Sequence, residues 1–453
     1  MEKKLSMLQK IGYGLGDFGS NYCWTFVGSF LLIYCSDTLG ISTAIIGTLL
    51  MISRVFDGIS DVFMGRIIDR THHRMGKARF WYFVSCFPVA ILTFLIFAVP
   101  NTMADGAQYA YVFVIYTLLG AVAYTMNNIA YSTLTALVTT NANDRVQMGT
   151  LRFICAIVAT LLINTFTSAL VESLGGGSAG WMIVAAIYAV ICLVFLLIPV
   201  FSVHELPESE LGEDREGAQQ KEPGFFQGLG LLLKNRYFLI VLGLYFFTYL
   251  GTGITSGMGI YYATYQLGDA SLLGLVSMAG LLPTALGLPF VPALTKKFGL
   301  RNAALGGIIL STVFGLVLIL GGLIGSFPLV IAGLLGKALG GAPAVGGLTA
   351  MVAEVDDYSS LKFGQRLTGT IFSCSSVGVK VGTGLGTAAV GFFLELGGYN
   401  GLAAVQTARA VSVINWSFLL ANFLPMLIDL LLLWAFRVEK DNCAMRAEIG
   451  GER

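Results

Sequence analysis

Charge is scarce in this chain: Lys, Arg, Asp and Glu together make up 12% of 453 residues, against 56% hydrophobic residues. No ordinary soluble globule has that balance. Histidine is scarcer still. His72, His73 and His204 are the only three, and all fall in polar connections, so no buried imidazole is at hand to carry a proton. The seven cysteines (Cys23, Cys35, Cys86, Cys155, Cys192, Cys374 and Cys443) form no C-x-x-C pair and no Cys/His cluster, which argues against zinc or redox chemistry. A nucleophile–base constellation is missing too, so the chain does not read as an enzyme. Period-two alternation is absent from the apolar stretches, which excludes a membrane β-barrel.

What is present is a series of twelve apolar segments, near 11–36, 42–69, 80–100, 107–139, 147–173, 180–202, 237–265, 270–294, 303–324, 326–353, 366–396 and 409–436. Each is long enough to cross a hydrocarbon core of about 30 Å. The expected fold class is an all-α membrane protein with twelve transmembrane helices. Asp17 and Asn21 interrupt the first segment, which also lacks a small-residue cleavage site, so it does not read as a cleaved signal peptide. Glycine clusters at Gly336, Gly340, Gly341, Gly346 and Gly347, and again at Gly378, Gly382, Gly384 and Gly386, where helices can approach closely or bend.

The longest polar stretch, His204 to Lys221, separates two six-helix halves. We read residues 1–203 and 236–437 as the halves, 204–235 as the linker and 438–453 as a tail. Short basic turns at equivalent places, Gly65 to Lys77 in one half and Leu294 to Arg301 in the other, suggest parallel repeats. Basic residues of the connections gather on the side of the termini, with Arg409 essentially alone opposite, which places both termini in the cytoplasm.

Against that background the ionisable residues inside spans stand out, because each costs about 2.5–3.5 kcal/mol at bilayer depth and must face other helices or a wet cavity. Arg54, Asp57 and Asp61 share one helical face at i, i+3 and i+7, a candidate cation pathway. Two carboxylates one turn apart repel, so a proton, a metal cation or Arg54 must offset them. Asp17 lies in the first span, Asn127 and Asn128 in the fourth, Arg152 opens the fifth, Lys337 sits in the tenth and Lys380 midway along the eleventh. Arg152 has a structural alternative in snorkelling, and Lys337 in pairing with a helix carbonyl; Asp17 and Lys380 are too deep to reach an interface.

The run Gly12 to Asp17, the stretch Arg54 to Asp61 leading into Gly65 to Lys77, Asn128 to Ser132, Ala353 to Tyr358, Gly364-Gln365-Arg366 and Lys380 resemble the glycoside–pentoside–hexuronide:cation symporters of the major facilitator superfamily. The resemblance covers nearly the whole chain, and bacterial glucuronide carriers look nearer than melibiose permeases. It implies a cation site at Asp57, Ser60, Asp61 and Thr125. Sodium-using melibiose-type members have an asparagine where this chain has Ser60, so the implied coupling ion is a proton or sodium. It implies sugar contacts at Asp17, Asn128, Tyr131, Ser132, Arg152 and Lys380.

Asn128 stands where similar carriers have a carboxylate, leaving one acid against two cations; a hexuronide would restore the balance. A neutral glycoside or pentoside is the alternative, with a lysolipid carrier or a non-transporting sugar sensor further off. Trp24, Tyr131, Tyr245 and Tyr249 are candidates to stack on a sugar ring. Arg54, Asp69, Arg70, Arg74, Lys77, Arg145 and Arg366 read as gating or structural groups, the loop residues as a cytoplasmic latch of ion pairs. The implied transporter is a monomer in the inner membrane of a bacterium, with sugar, a monovalent cation and lipid as its partners; no cofactor, no metal beyond a sodium ion at the cation site, and no nucleic acid is called for.

Overall fold

The computed structural model describes residues 5–100, 102–207, 230–363, 368–403 and 405–451. Arg366 lies outside the described residues, as does the side chain of Asp69. Every element is helical and no strand occurs among the described residues, as expected where lipid offers the backbone no hydrogen bonds. The long helices are α1 (Met7–Ile33), α2 (Thr43–Asp69), α3 (Lys77–Leu95), α4 (Asp105–Val138), α5 (Ala142–Ser173) and α6 (Gly177–Ser202). They continue as α7 (Arg236–Gln266), α8 (Ala270–Phe298), α9 (Leu300–Leu323), α10 (Phe327–Phe363), α11 (Thr368–Gly397) and α12 (Ala408–Ala435).

Among the described residues, eleven helices are long and apolar enough to cross a membrane. The remaining long helix is α1, 27 residues with an apolar core and a few ionic groups. It starts at a capping box, in which Ser6 Oγ accepts from the Gln9 amide and the Gln9 side chain accepts from the Ser6 amide. Its Lys10 is buried and paired with Asp144 at 2.6 Å, which is how a helix carrying charge is accommodated.

Among the described residues, three π-helical turns punctuate the spans. Tyr34–Thr38 extends α1, Leu118–Tyr124 lies inside α4 and Tyr262–Gln266 ends α7. Such turns insert a residue into the ladder and re-aim the side chains around them.

The helices form two compact units. One comprises residues 1–212, 256–277 and 387–417; its core includes Phe26 stacked on Phe97 at 4.0 Å, with Trp181 beside them. The other comprises 213–255, 278–386 and 418–453, centred on Tyr237, Phe238, Met351 and Phe436.

The echo between the basic turns is a recurrence of one geometry. Gly76, at φ 96°, precedes α3, whose first amides (Lys77, Ala78, Arg79) donate to the Glu205 carboxylate at 2.7–3.0 Å. Gly299, at φ 82°, precedes α9, where Leu300 and Arg301 donate to Glu439 at 3.0 and 3.1 Å. Arg79 Nε then donates to the Val200 carbonyl, as Arg301 Nε does to Leu433. In both, a left-handed glycine turns the chain and a carboxylate beyond the sixth or twelfth span meets the positive helix end. Glu205, the second residue of the polar stretch after α6, is thus part of the packed structure. So is the tail: Val438–Gly451 is a helix, tied by Asn442 to Glu354 and by Arg446 to Asp357 at 2.6 Å.

Candidate functional site

Asp57 is 3% exposed, at the middle of α2, and its carboxylate lies against Gly120 of the α4 π turn: a Cβ on Gly120 would fall 2.8 Å from Asp57 Oδ1. The bulged backbone and the missing side chain together make room for the acid. One turn on, Asp61 Oδ1 accepts from Thr125 Oγ1 at 3.1 Å, and Ser60 Oγ lies 3.3 Å from that same threonine oxygen and 3.0 Å from the Asp57 carbonyl. The four residues expected at a cation site therefore lie together between α2 and α4, Asp61, Ser60 and Thr125 linked by hydrogen bonds and Asp57 one turn away against Gly120. Oxygens of this kind suit a proton or a hard monovalent ion.

Arg54 Nη1 sits 3.4 Å from Asp57 Oδ2. That is a long contact, and the guanidinium also lies over the Trp24 ring, 4.2 Å from its centroid. Trp24 is in turn stacked on Tyr124 at 4.4 Å. Trp24 thus bridges Arg54 and Tyr124 and is part-exposed.

The second group is built on α1, α4 and α5. Arg152 Nε donates to Asp17 Oδ2 at 2.5 Å, with both side chains part-exposed (21% and 16%). The guanidinium lies over the Tyr131 ring at 4.3 Å. Tyr131 is buried, its hydroxyl donating to the Tyr13 carbonyl and its ring stacked on Tyr13 and Tyr82. The expectation of Tyr131 as a sugar contact is corrected here: its faces and hydroxyl are spent on Tyr13, Tyr82 and Arg152, so it orients the arginine. Asn128 and Ser132 are exposed on α4, whereas Asn127 is buried between Ser20 and Ser85. Lys380 is part-exposed on α11 and belongs to the other compact unit; Tyr245 and Tyr249 stack there at 6.4 Å.

Of the latch candidates, Arg70 and Arg74 are exposed. Arg145 caps a helix end instead of pairing with a carboxylate, donating to the carbonyls of Thr139 at 2.9 Å and Ala136 at 3.1 Å. Lys77 contributes its backbone amide to the Glu205 cap.

Several buried polar residues have partners that the sequence reading did not show. Lys10 and Asp144, neither singled out in the sequence, form a buried ion pair. Lys337 Nζ donates to Asn422 Oδ1 at 2.5 Å, a side-chain amide rather than the expected carbonyl. Asp429 is 5% exposed and accepts from Thr248 at 2.9 Å; its signal was a lone acid within the last apolar segment.

A family model described as MFS/sugar transport protein matches residues 12–440. The chain belongs to that family. Among its relatives this transporter is 30% identical to the isoprimeverose transporter of Lactiplantibacillus pentosus over 97% of its own length and 91% of the relative's. It is 28% identical to the glucuronide carrier protein homolog of Escherichia coli (strain K12), over 96% and 93% of the two chains. Solved structures with the same fold include a bacterial homolog of the human lysosomal transporter Spinster (TM-score 0.68, 14% identity, 96% and 99% covered) and the nucleoside transporter NupG (TM-score 0.64, 17% identity, 97% and 99% covered). The fold is the major facilitator fold, and the transporter is a member of the sugar/glycoside:cation symporters, as its resemblance implied.

Proposed function

We propose that this symporter imports a hexuronide with a cation by alternating access, from a bacterial inner membrane with both termini in the cytoplasm. Asp57, Ser60, Asp61 and Thr125 hold the cation; Asp17, Asn128, Ser132, Arg152 and Lys380 contact the sugar. The observation that carries the anionic substrate is the state of Arg152. Its bond to Asp17 runs through Nε and Tyr13 also engages the guanidinium, so its terminal edge, turned from Asp17, is what a substrate carboxylate would meet. Tyr131 beneath and Asp17 beside it hold the guanidinium in place, which lowers the entropy lost on binding.

Cation binding lowers the repulsion on α2 and favours the neighbouring sugar site; by linkage the sugar tightens the cation equally. Each net charge moved inward gains about 2.3 kcal/mol per 100 mV, and a monoanion carried with one proton moves none. A second reading, a neutral glycoside or pentoside, draws support from the same pair, since Asp17 already offsets the arginine charge at 2.5 Å. Uptake of labelled glucuronide and of a neutral glycoside into proteoliposomes, under separately imposed proton and sodium gradients, tests both. Accumulation of the glucuronide alone supports the hexuronide, accumulation of the glycoside alone supports the alternative, and uptake indifferent to either gradient sinks cation coupling.

A further inference from the structure

Several acids in the spans are well partnered: Asp37 by the hydroxyls of Ser36, Tyr265 and Tyr399, and three others by cations. Asp17 faces Arg152, Asp57 faces Arg54 and Asp144 faces Lys10. Asp429, in the second compact unit, has no ion pair among the described residues. Its single hydrogen-bond partner among the described residues is the Thr248 hydroxyl, which donates to Oδ2 at 2.9 Å, and Oδ1 is buried without a partner.

The surroundings offer nothing closer. Of the titratable side chains of α7, Arg236 and Tyr237 bond Asp441, Tyr261 and Tyr265 bond Ser36 and Asp37, and Tyr245 and Tyr249, nearest in sequence to Thr248, stack on each other at 6.4 Å. From α10 comes Lys337, whose ammonium is held by Asn422 at 2.5 Å; Asn422 precedes Asp429 by two helical turns, about 10 Å along α12. Lys380 of α11, a helix whose Gly378 and Gly382 pack on Leu242 and Phe246 of α7, makes no ion pair with it. A carboxyl so enclosed, with one oxygen unsatisfied, is a place for a bound positive charge. One hydroxyl and one carboxyl are too few oxygens to replace the hydration shell of a metal ion. A proton needs only the carboxyl.

The local backbone supplies a means of access. Pro425, four residues before Asp429, removes an amide from the α12 ladder, and Gly251 of α7 lets the helices meet there: a Cβ on Gly251 would fall 2.9 Å from Pro425 Cγ and 3.0 Å from the Ala421 carbonyl oxygen. A proline kink against a side-chain-free surface is a place where α12 can bend, and bending would open the Asp429 and Thr248 contact to water.

We propose that Asp429 is a proton-binding site of this transporter, separate from the Asp57 and Asp61 pair, loaded in the arrangement described here and unloaded when α7 and α12 part. Its place in coupling rests on the transport reading above; its occupancy by a proton does not. The full chain in lipid vesicles at neutral pH is treated with dicyclohexylcarbodiimide, which attacks protonated carboxyls in apolar surroundings, and the adduct is mapped by mass spectrometry. Asp429 is expected to carry the label, and an infrared carbonyl band of a protonated carboxylic acid is expected in the wild type, absent from D429N and shifted in D429E. An unlabelled Asp429 together with the same band in wild type and D429N overturns the proposal. Should D429N not fold, the wild-type adduct and the D429E band decide it. With folded D429N, the pH profile of uptake is expected to lose one acid-dependent step; a profile identical to wild type overturns the coupling role. Gradient-indifferent uptake by a wild type that still labels at Asp429 would overturn the transport reading and leave the proton site standing.

Discussion

Asp37 and Tyr399, 362 positions apart in the chain, share a 2.6 Å hydrogen bond from the tyrosine hydroxyl to Oδ1. Tyr265 donates to the other carboxylate oxygen at 3.0 Å and Ser36 adds a bond of 2.6 Å to the first. Asp37 and Tyr265 occupy matching places in the π turns that end α1 and α7, 228 residues apart. One acid thereby gathers the ends of α1 and α7 and the turn after α11, all within the first compact unit. Removing one hydroxyl from a buried acid costs about 1–3 kcal/mol. Tyr399→Phe is therefore expected to raise amide hydrogen exchange in residues 262–266 and 395–401 about tenfold, while leaving exchange around Asp57 unchanged; equal exchange in variant and wild type would show the bond to be idle.

The Asp17 and Arg152 pair predicts strong coupling between its members. Removing one partner of a fully buried pair costs about 3–5 kcal/mol; part-exposure here reduces that. Arg152→Lys keeps the charge but loses the fork and the stacking on Tyr131, so sugar affinity should fall at least tenfold with little change in the cation dependence of uptake. A double-mutant cycle with Asp17→Asn should give an interaction energy of about 1–3 kcal/mol. Additive effects would mean that the two act separately.

Gly120 is predicted to be the most sensitive small residue near the proposed cation site. An added methyl 2.8 Å from Asp57 Oδ1 must displace the carboxylate, since the π turn behind it is fixed by its own ladder. In Gly120→Ala the cation concentration giving half-maximal uptake should rise about tenfold or more, with sugar exchange at saturating cation largely retained. Unaltered cation dependence would place the site elsewhere than against Gly120.

The two helix caps predict parallel losses of stability. Glu205→Ala removes the acceptor for three amides and Glu439→Ala that for two, each worth about 1–2 kcal/mol by analogy with N-caps and end charges. Melting in detergent should drop by a few degrees for either variant, less for Glu→Gln, and the effects should add because the caps share no partner.

Much of the site was legible because charge in an apolar segment has few explanations. Asp57, Ser60, Asp61 and Thr125 could be read from spacing and resemblance, and the structure brings those four together between α2 and α4. Tyr131 was misread since sequence cannot tell a tyrosine lining a cavity from one whose hydroxyl is spent on a neighbouring carbonyl. Arg145 looked like a latch because a loop arginine has no visible partner until the end of α4 is folded beside it. Lys10 with Asp144 and Asp429 with Thr248 depend on contacts across 134 and 181 residues, beyond any local pattern.

By itself the sequence determined that this chain is a bundle of membrane-crossing helices with acids and bases at particular depths, since apolar length and the cost of buried charge are local quantities that need no partner. Only the tertiary structure decided which acid met which base, where a π turn and a missing Cβ made room for Asp57, and that Asp429 met a hydroxyl alone. Those outcomes depend on how helix faces are aligned, a property of packing across the whole chain that no segment carries alone.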